Sequence, residues 1–252
     1  MEASSIYGAW FRETFGVQDC QESMAFREVG RQAFAELKKE ATKALGEGCN
    51  ALLLNDWKIG GQHNGVADFT PDPELGGMAA LAEAGSACRQ IGVTLYLRFN
   101  LQGVDPKTDY HAEHTADAVS IDRWGVPFTY SGNRWVWLNP GVPSLREHLV
   151  QQVRELAVLG VGGLFIVDFF TDKIDFTLAN GITTPDQVDW DGGLQTLACM
   201  LEAGREISPD FRLVTHTSRD HLTPLACLGV KKPQAEGLWG RAFPVWADSE
   251  AE

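Results

Sequence analysis

The chain has 252 residues, of which 44% are hydrophobic and 22% charged, and a formal net charge of -13. That length and apolar content suit one sizeable core, and a parallel α/β barrel commonly takes about 250 residues as a single domain. The acidic balance excludes nucleic acid and anionic membrane surfaces as partners, because binding a polyanion needs a basic face. No run of about 18 apolar residues could span a bilayer. The N-terminal "MEASSIYGAWFRETFG" lacks a basic region leading into an apolar one, so no secretion signal is expected. Five scattered cysteines, Cys20, Cys49, Cys88, Cys199 and Cys227, show neither a C-x-x-C pair nor histidines at ligand spacing. They read as core thiols of a cytoplasmic protein without a metal or other cofactor.

Apolar residues at helical spacing across "ESMAFREVGRQAFAELKKEATKALGE" predict one amphipathic helix over Glu22–Glu47, ending at Gly48. "CNALLLNDW" then reads as a buried parallel strand whose polar end opens into a loop. A helix follows in "GGMAALAEAGSACRQIG", and a second strand in "VTLYLRFN", again with polar residues, Arg98 and Asn100, at its end. "RWVWLNPG" is expected to be a third strand, before the helix "VPSLREHLVQQVRELAVLG". "VGGLFIVDFF" gives a fourth, in which the glycines imply close strand–helix packing rather than a phosphate loop. The helix "DGGLQTLACMLEAGREIS" leads to a fifth strand in "DFRLVTHTS". A short helix over Pro224–Leu228 and a sixth strand in "GLWGRAFPVWAD" complete the series.

Strands alternating with helices predict an α/β fold with a parallel sheet, here a (β/α)8 TIM-barrel-type domain over residues 1–252 with about six of the eight units present. Two further units would be needed to close it, so the expectation is a C-terminally truncated, incomplete barrel. An open barrel edge would favour self-association.

In such a barrel the strand C-termini converge on one mouth. Asp56, Trp57, Arg98, Asn139, Asp168, His216, Asp220, Arg241, Trp246 and Asp248 all fall at such positions. Aromatic faces stack on pyranose C–H surfaces and carboxylates accept hydroxyl hydrogen bonds, so this set suits a carbohydrate. Two carboxylates about 5–5.5 Å apart also suit a retaining glycosidase. Asp168 is the strongest of these, because it ends an otherwise apolar run and an unpaired buried carboxylate is costly. The alternatives are structural: backbone N–H partners for Asp168, a solvated tail for Asp248, and a turn or cap role for Asp56.

The ordered stretches "LLLNDW", "DFTPDPELGGMAAL", "GVTLYLRF", "WVWLNPGVPSLREHLVQQVREL", "GLFIVDFF" and "GRAFPVWADSE" resemble the clan-D, α-galactosidase-like glycosidases of glycoside hydrolase family thirty-six and its relatives. The resemblance implies a (β/α)8 barrel hydrolysing glycosidic bonds with retention. It implies Asp168 as nucleophile, Asp248 in "WADSE" as acid/base, and Asp56 as a ligand of sugar hydroxyls. From their place at the strand ends, Trp57, Arg98, Asn139, His216, Asp220, Arg241 and Trp246 are expected to contact the sugar in the same mouth. Two local departures stand out: Ile166 occupies the place of the family's lysine two residues before the nucleophile, and "THTSRD" replaces its fifth-strand "C-x-S-G-G" segment. Those departures and the missing units keep a second expectation open, a carbohydrate-binding barrel or barrel fragment without turnover.

Overall fold

A computed structural model describes residues 26–61, 69–100, 103–130, 132, 134–167, 175–177 and 193–215. Five strands make one wholly parallel sheet: β1 (Phe26–Val29), β2 (Ala51–Leu54), β3 (Thr94–Asn100), β7 (Gly163–Val167) and β8 (Arg212–Thr215), in the order β1-β2-β3-β7-β8. Four helices cross between them: α1 (Leu37–Gly46), α2 (Gly77–Ile91), α3 (Pro143–Val158) and α4 (Gly193–Ile207). Each strand returns parallel to its predecessor, which requires a crossover of this length.

The helices form because their apolar residues recur at three and four. Leu37, Ala41 and Ala44 are the buried positions of α1; Leu81, Ala84, Gly85 and Cys88 those of α2; Leu145, Leu149, Val153, Leu156 and Ala157 those of α3. These stripes pack on Val29, Leu52, Leu54, Leu95, Leu97, Phe99, Leu164, Ile166 and Leu213, alternate residues of the sheet. The intervening positions, Phe26, Ala51, Leu53, Tyr96, Phe165 and Val214, form a separate cluster on the other face.

That second face is the inside of a curled sheet. The Phe26 and Phe165 rings meet edge to face with centroids 6.1 Å apart. Their strands are three steps apart in the sheet, about 14 Å if it were flat at ~4.8 Å per step. Curling alone brings the two rings together, as barrel formation demands.

Three expectations need correction. "FREV" is β1, not part of the first helix: its side chains alternate, with Phe26 inside and Val29 against the helices. Arg27, between them, points to α1 and binds Glu40 at 2.9 Å and Glu47 at 2.6 Å. The helix therefore starts at Leu37, after a 3₁₀ turn over Phe34–Glu36. Second, "RWVWL" is not a barrel strand. Trp135–Trp137 is β6, the centre of a separate antiparallel sheet with β4 (Gly103–Val104) and β5 (Thr129–Tyr130) inserted between β3 and α3. Third, the glycines of "GVGG" divide their roles: Gly160 packs against α2 as expected, a Cβ there lying 3.4 Å from the Gly85 backbone, whereas Gly162 and Gly163 serve strand–strand contact. A Cβ on Gly162 would lie 2.4 Å from a Thr94 methyl, and one on Gly163 2.3 Å from the Tyr96 ring. Gaining β1 and losing "RWVWL" leaves β7 as the fourth strand of the sheet. The expected helix near Pro224 and sixth strand lie outside the described residues, as do the flanks at which an open edge was expected to self-associate.

Candidate functional site

The parallel strands all present their C-terminal ends on one side, where the crossover loops begin. Phe26, Tyr96 and Phe165 line the sheet interior below, with Phe26 and Tyr96 centroids 5.0 Å apart. Polar residues appear one layer higher. Strand alternation puts Glu28 of β1 and Arg98 of β3 on this face, two residues beyond Phe26 and Tyr96 respectively. Asn55, directly after β2, is 9% exposed and its Nδ2 donates to Glu28 Oε1 at 2.5 Å.

Asp56 follows with φ of 50°, the left-handed region that aspartate tolerates better than most residues. This bends the chain out of β2, so the turn role weighed for Asp56 is present. Its half-buried carboxylate remains at the same end of the sheet as Glu28 and Arg98. Gly61 approaches it closely: a Cβ there would stand 3.1 Å from Asp56 Oδ1.

Trp57 and Asn139 are placed differently from expectation. Trp57 is 1% exposed, its indole N–H donating to the Arg98 carbonyl at 2.8 Å. Phe69 lies parallel to it and stacks on Phe99 at 3.7 Å. Trp57 is thus a wall residue that pins the loop after β2 onto β3, with no open face for a sugar. Asn139 is fully buried in the turn before α3. Its N–H donates to the Ala118 carbonyl at 2.7 Å and its Oδ1 accepts from the Gly141 N–H at 2.8 Å. Its side chain shapes that turn. Asp168, His216, Asp220, Arg241, Trp246 and Asp248 lie outside the described residues.

The rim is braced by charge. Arg31, in the loop after β1, binds Asp72 at 2.7 Å and Glu74 at 2.8 Å, both in the loop after β2. Burial pushes the Asp72 carboxyl up, but the Glu74 N–H and the Arg31 guanidinium outweigh it and hold the group below its ordinary value. A second brace follows β7. Asp175, 1% exposed, accepts from the Ile121 N–H at 3.2 Å and from the Thr177 N–H at 2.9 Å. Thr177 donates its hydroxyl to the Val119 carbonyl at 2.8 Å, tying the loop after β7 to the inserted antiparallel segment.

Glu28 and Asp175 were not anticipated from sequence. Glu28 was hidden in a stretch read as helix. Asp175 carried only a weak local signal, an Asp two residues before a Thr, the spacing of a self-bonding turn. Among the described residues no three His, Cys, Asp or Glu side chains group as metal ligands would. No described helix is long and apolar enough to cross a membrane.

No family model matches the chain, and no curated protein matches it. Solved structures do. An α-N-acetylgalactosaminidase from Bifidobacterium bifidum superposes with a TM-score of 0.64 at 14% identity, covering 88% of this chain and 38% of that one. An α-galactosidase from Thermus thermophilus, in complex with stachyose, gives 0.58 at 17% identity over 90% of this chain and 46% of that one. A family GH13_31 enzyme gives 0.58 at 14% identity over 81% and 48%. The chain thus spans less than half the length of each. Together with the curled five-stranded parallel sheet, these likenesses show the α/β barrel fold of TIM-barrel glycosidases, of the kind found in α-galactosidases, with five of its strands among the described residues.

Proposed function

We propose that the chain carries the sugar-binding mouth of a retaining glycoside hydrolase, with Asp168 as nucleophile and Asp248 as acid/base. The observation that carries this reading is positional. In the chain Asp168 follows Val167, the last residue of β7, the fourth strand of a sheet whose C-terminal ends bring Glu28, Asp56 and Arg98 above an aromatic interior. In that chemistry a carboxylate attacks the anomeric carbon and the glycosyl–oxygen bond breaks as a second carboxyl group protonates the leaving oxygen. Water, deprotonated by that same second group, then releases the sugar with its original configuration. Asp56 and Arg98 would hold sugar hydroxyls.

A test uses aryl α-galactoside and aryl α-N-acetylgalactosaminide with the full chain. Turnover that yields the retained anomer by proton NMR, and that falls at least about 10³-fold in Asp168→Asn with an unchanged melting temperature, is the expected result. Turnover that survives the substitution removes Asp168 from the reaction.

A second reading is a carbohydrate-binding barrel without turnover, and one observation favours it. Ile166, where the resembling family carries its lysine, is fully buried in the helix-facing cluster. Side chains two apart in an unbroken strand share a face, so the nucleophile reading requires the chain to break simple alternation between Ile166 and Asp168. Sugar binding by a chain that hydrolyses neither glycoside would select this reading.

A further inference from the structure

The segment inserted between β3 and α3 carries an aromatic ring with no part in the barrel sheet. Residues 121–127 form a hairpin tip in which Ile121 and Pro127 pair antiparallel. The Asp122 N–H donates to the Val126 carbonyl at 2.9 Å, and the Gly125 N–H to the Asp122 carbonyl at 3.0 Å. Gly125 takes a φ of 80°, the left-handed position that closes a hairpin turn of this kind. Asp122 holds the turn with its side chain as well, its Oδ1 accepting from the Trp124 and Val126 N–H groups at 2.9 Å each.

Trp124 stands at this tip and is 71% exposed. An isolated exposed apolar side chain is ordinary on a protein surface, but three features set this one apart. The turn beneath it is fixed by those hydrogen bonds before any ligand arrives. The Arg123 guanidinium lies over one ring face, 3.9 Å from the centroid, so the ring is braced and presents its other face. The strand leading into the tip is fastened to the loop after β7, at the C-terminal end of the barrel sheet. There the Ile121 N–H donates to Asp175 Oδ1 at 3.2 Å, and the Ile121 carbonyl accepts from the Phe176 N–H at 3.0 Å.

Size and charge choose the occupant. Beside Trp124 the tip offers Val126, 56% exposed, and Pro127 as apolar neighbours, with Asp122, Arg123 and Gly125 around them. That is far short of the roughly 1,200 Å² in all that a stable protein interface buries. A net charge of -13 disfavours an anionic membrane surface. The C–H-rich face of one pyranose matches one indole face. A guanidinium stacked behind the ring keeps its N–H donors in its own plane, at the ring's margin, where sugar hydroxyls would lie.

We infer that Trp124, braced by Arg123, is a stacking platform for one pyranose unit of a saccharide at the barrel rim, apart from the strand-end carboxylates. The inference takes its ligand class from the carbohydrate reading above and needs neither turnover nor Asp168.

Proton–nitrogen NMR of the isotope-labelled full chain tests it through the indole N–H signals. The chain has eight tryptophans, and the Trp124 signal is the one lost in Trp124→Ala. On titration with D-galactose, N-acetyl-D-galactosamine, D-glucose and maltotriose, that signal should shift saturably with at least one sugar. In Trp124→Ala the Gly125 and Val126 amides, which report on the same place, should need at least about tenfold more of that sugar to shift. Trp124→Phe, which keeps an aromatic face, should retain part of the affinity. The melting temperature of either variant should stay within about 2 °C of wild type, because the ring is exposed. A lowered melting temperature with an unchanged sugar dependence would give Trp124 a structural role only and overturn the platform. A Trp124 signal unmoved by all four sugars, while signals elsewhere shift, overturns the platform and leaves the carbohydrate reading intact. No shift anywhere in the chain overturns both. A Trp124 signal that answers to phosphatidylglycerol vesicles or to protein concentration, and not to sugar, assigns the tip to a membrane or to a second copy of the chain and overturns the inference.

Discussion

Trp57 illustrates how one atom decides between two roles for the same side chain. Its indole N–H meets the carbonyl of Arg98 at 2.8 Å, inside a wall built with Phe69 and Phe99. Trp57→Phe keeps most of the apolar surface but leaves that carbonyl without its donor. Orphaning a buried polar group costs about 1–3 kcal/mol, and the lost ring volume adds a cavity cost. Urea unfolding should therefore show a loss of about 2 kcal/mol or more. A sugar-stacking tryptophan would instead lose affinity at constant stability. The sequence identified Trp57 as an aromatic at a strand end but not the direction of its ring, because the partner carbonyl is 41 residues away. The polar positions Asp56 and Arg98 were legible, since each ends an apolar run. Glu28 was not, since a four-residue strand offers too few alternations to outweigh the helical spacing around it.

At the scale of elements, the loops after β1 and β2 are joined by a clasp whose strength depends on pH. Asp72 titrates below its ordinary value in the folded chain, held there by the Glu74 N–H and Arg31. A carboxyl group depressed on folding contributes stability that is fully present above its unfolded value, near ~4, and is lost as pH falls through the folded value. The melting temperature of Arg31→Gln should accordingly lie below wild type at pH 6–7, and the gap should shrink as pH falls below about 4. A gap that is constant down to pH 3 would mean that Arg31 acts by packing alone. Long periodic elements were legible here: α2, α3 and α4 each show an apolar stripe of three turns or more, and β2, β3, β7 and β8 each show a dense apolar run between polar ends. The assignment of β6 to the barrel failed for a different reason. "WVW" has every mark of a strand, but β-propensity reports a pleated, half-buried surface and not which sheet supplies it. The antiparallel partners β4 and β5 have two residues each, too short to announce a second sheet.

For the whole molecule, curvature separates a barrel sheet from an open doubly wound one, and it can be measured in solution. In a flat parallel sheet β1 and β7 are too far apart for their side chains to touch, and substitutions on them should add. In the curled sheet Phe26 and Phe165 share one edge-to-face contact, with Tyr96 touching Phe26 as well. Phe26→Ala and Phe165→Ala should each cost about 3–5 kcal/mol as core truncations. If the marginal stability of a single domain cannot carry both losses, Phe→Leu substitutions serve the same cycle at lower cost. The double variant should lose less than the sum of the singles, by about 0.5–1.5 kcal/mol, because the pair's contact can be lost only once. Strict additivity would place the two rings on separate surfaces and open the sheet. That result would also remove the geometric basis for setting β1 and β7 opposite each other, since it follows from the same closure of the interior. A measured coupling would instead tie the mouth to the fold that forms it: the contact that curls the sheet also sets the width of the space between β1 and β7.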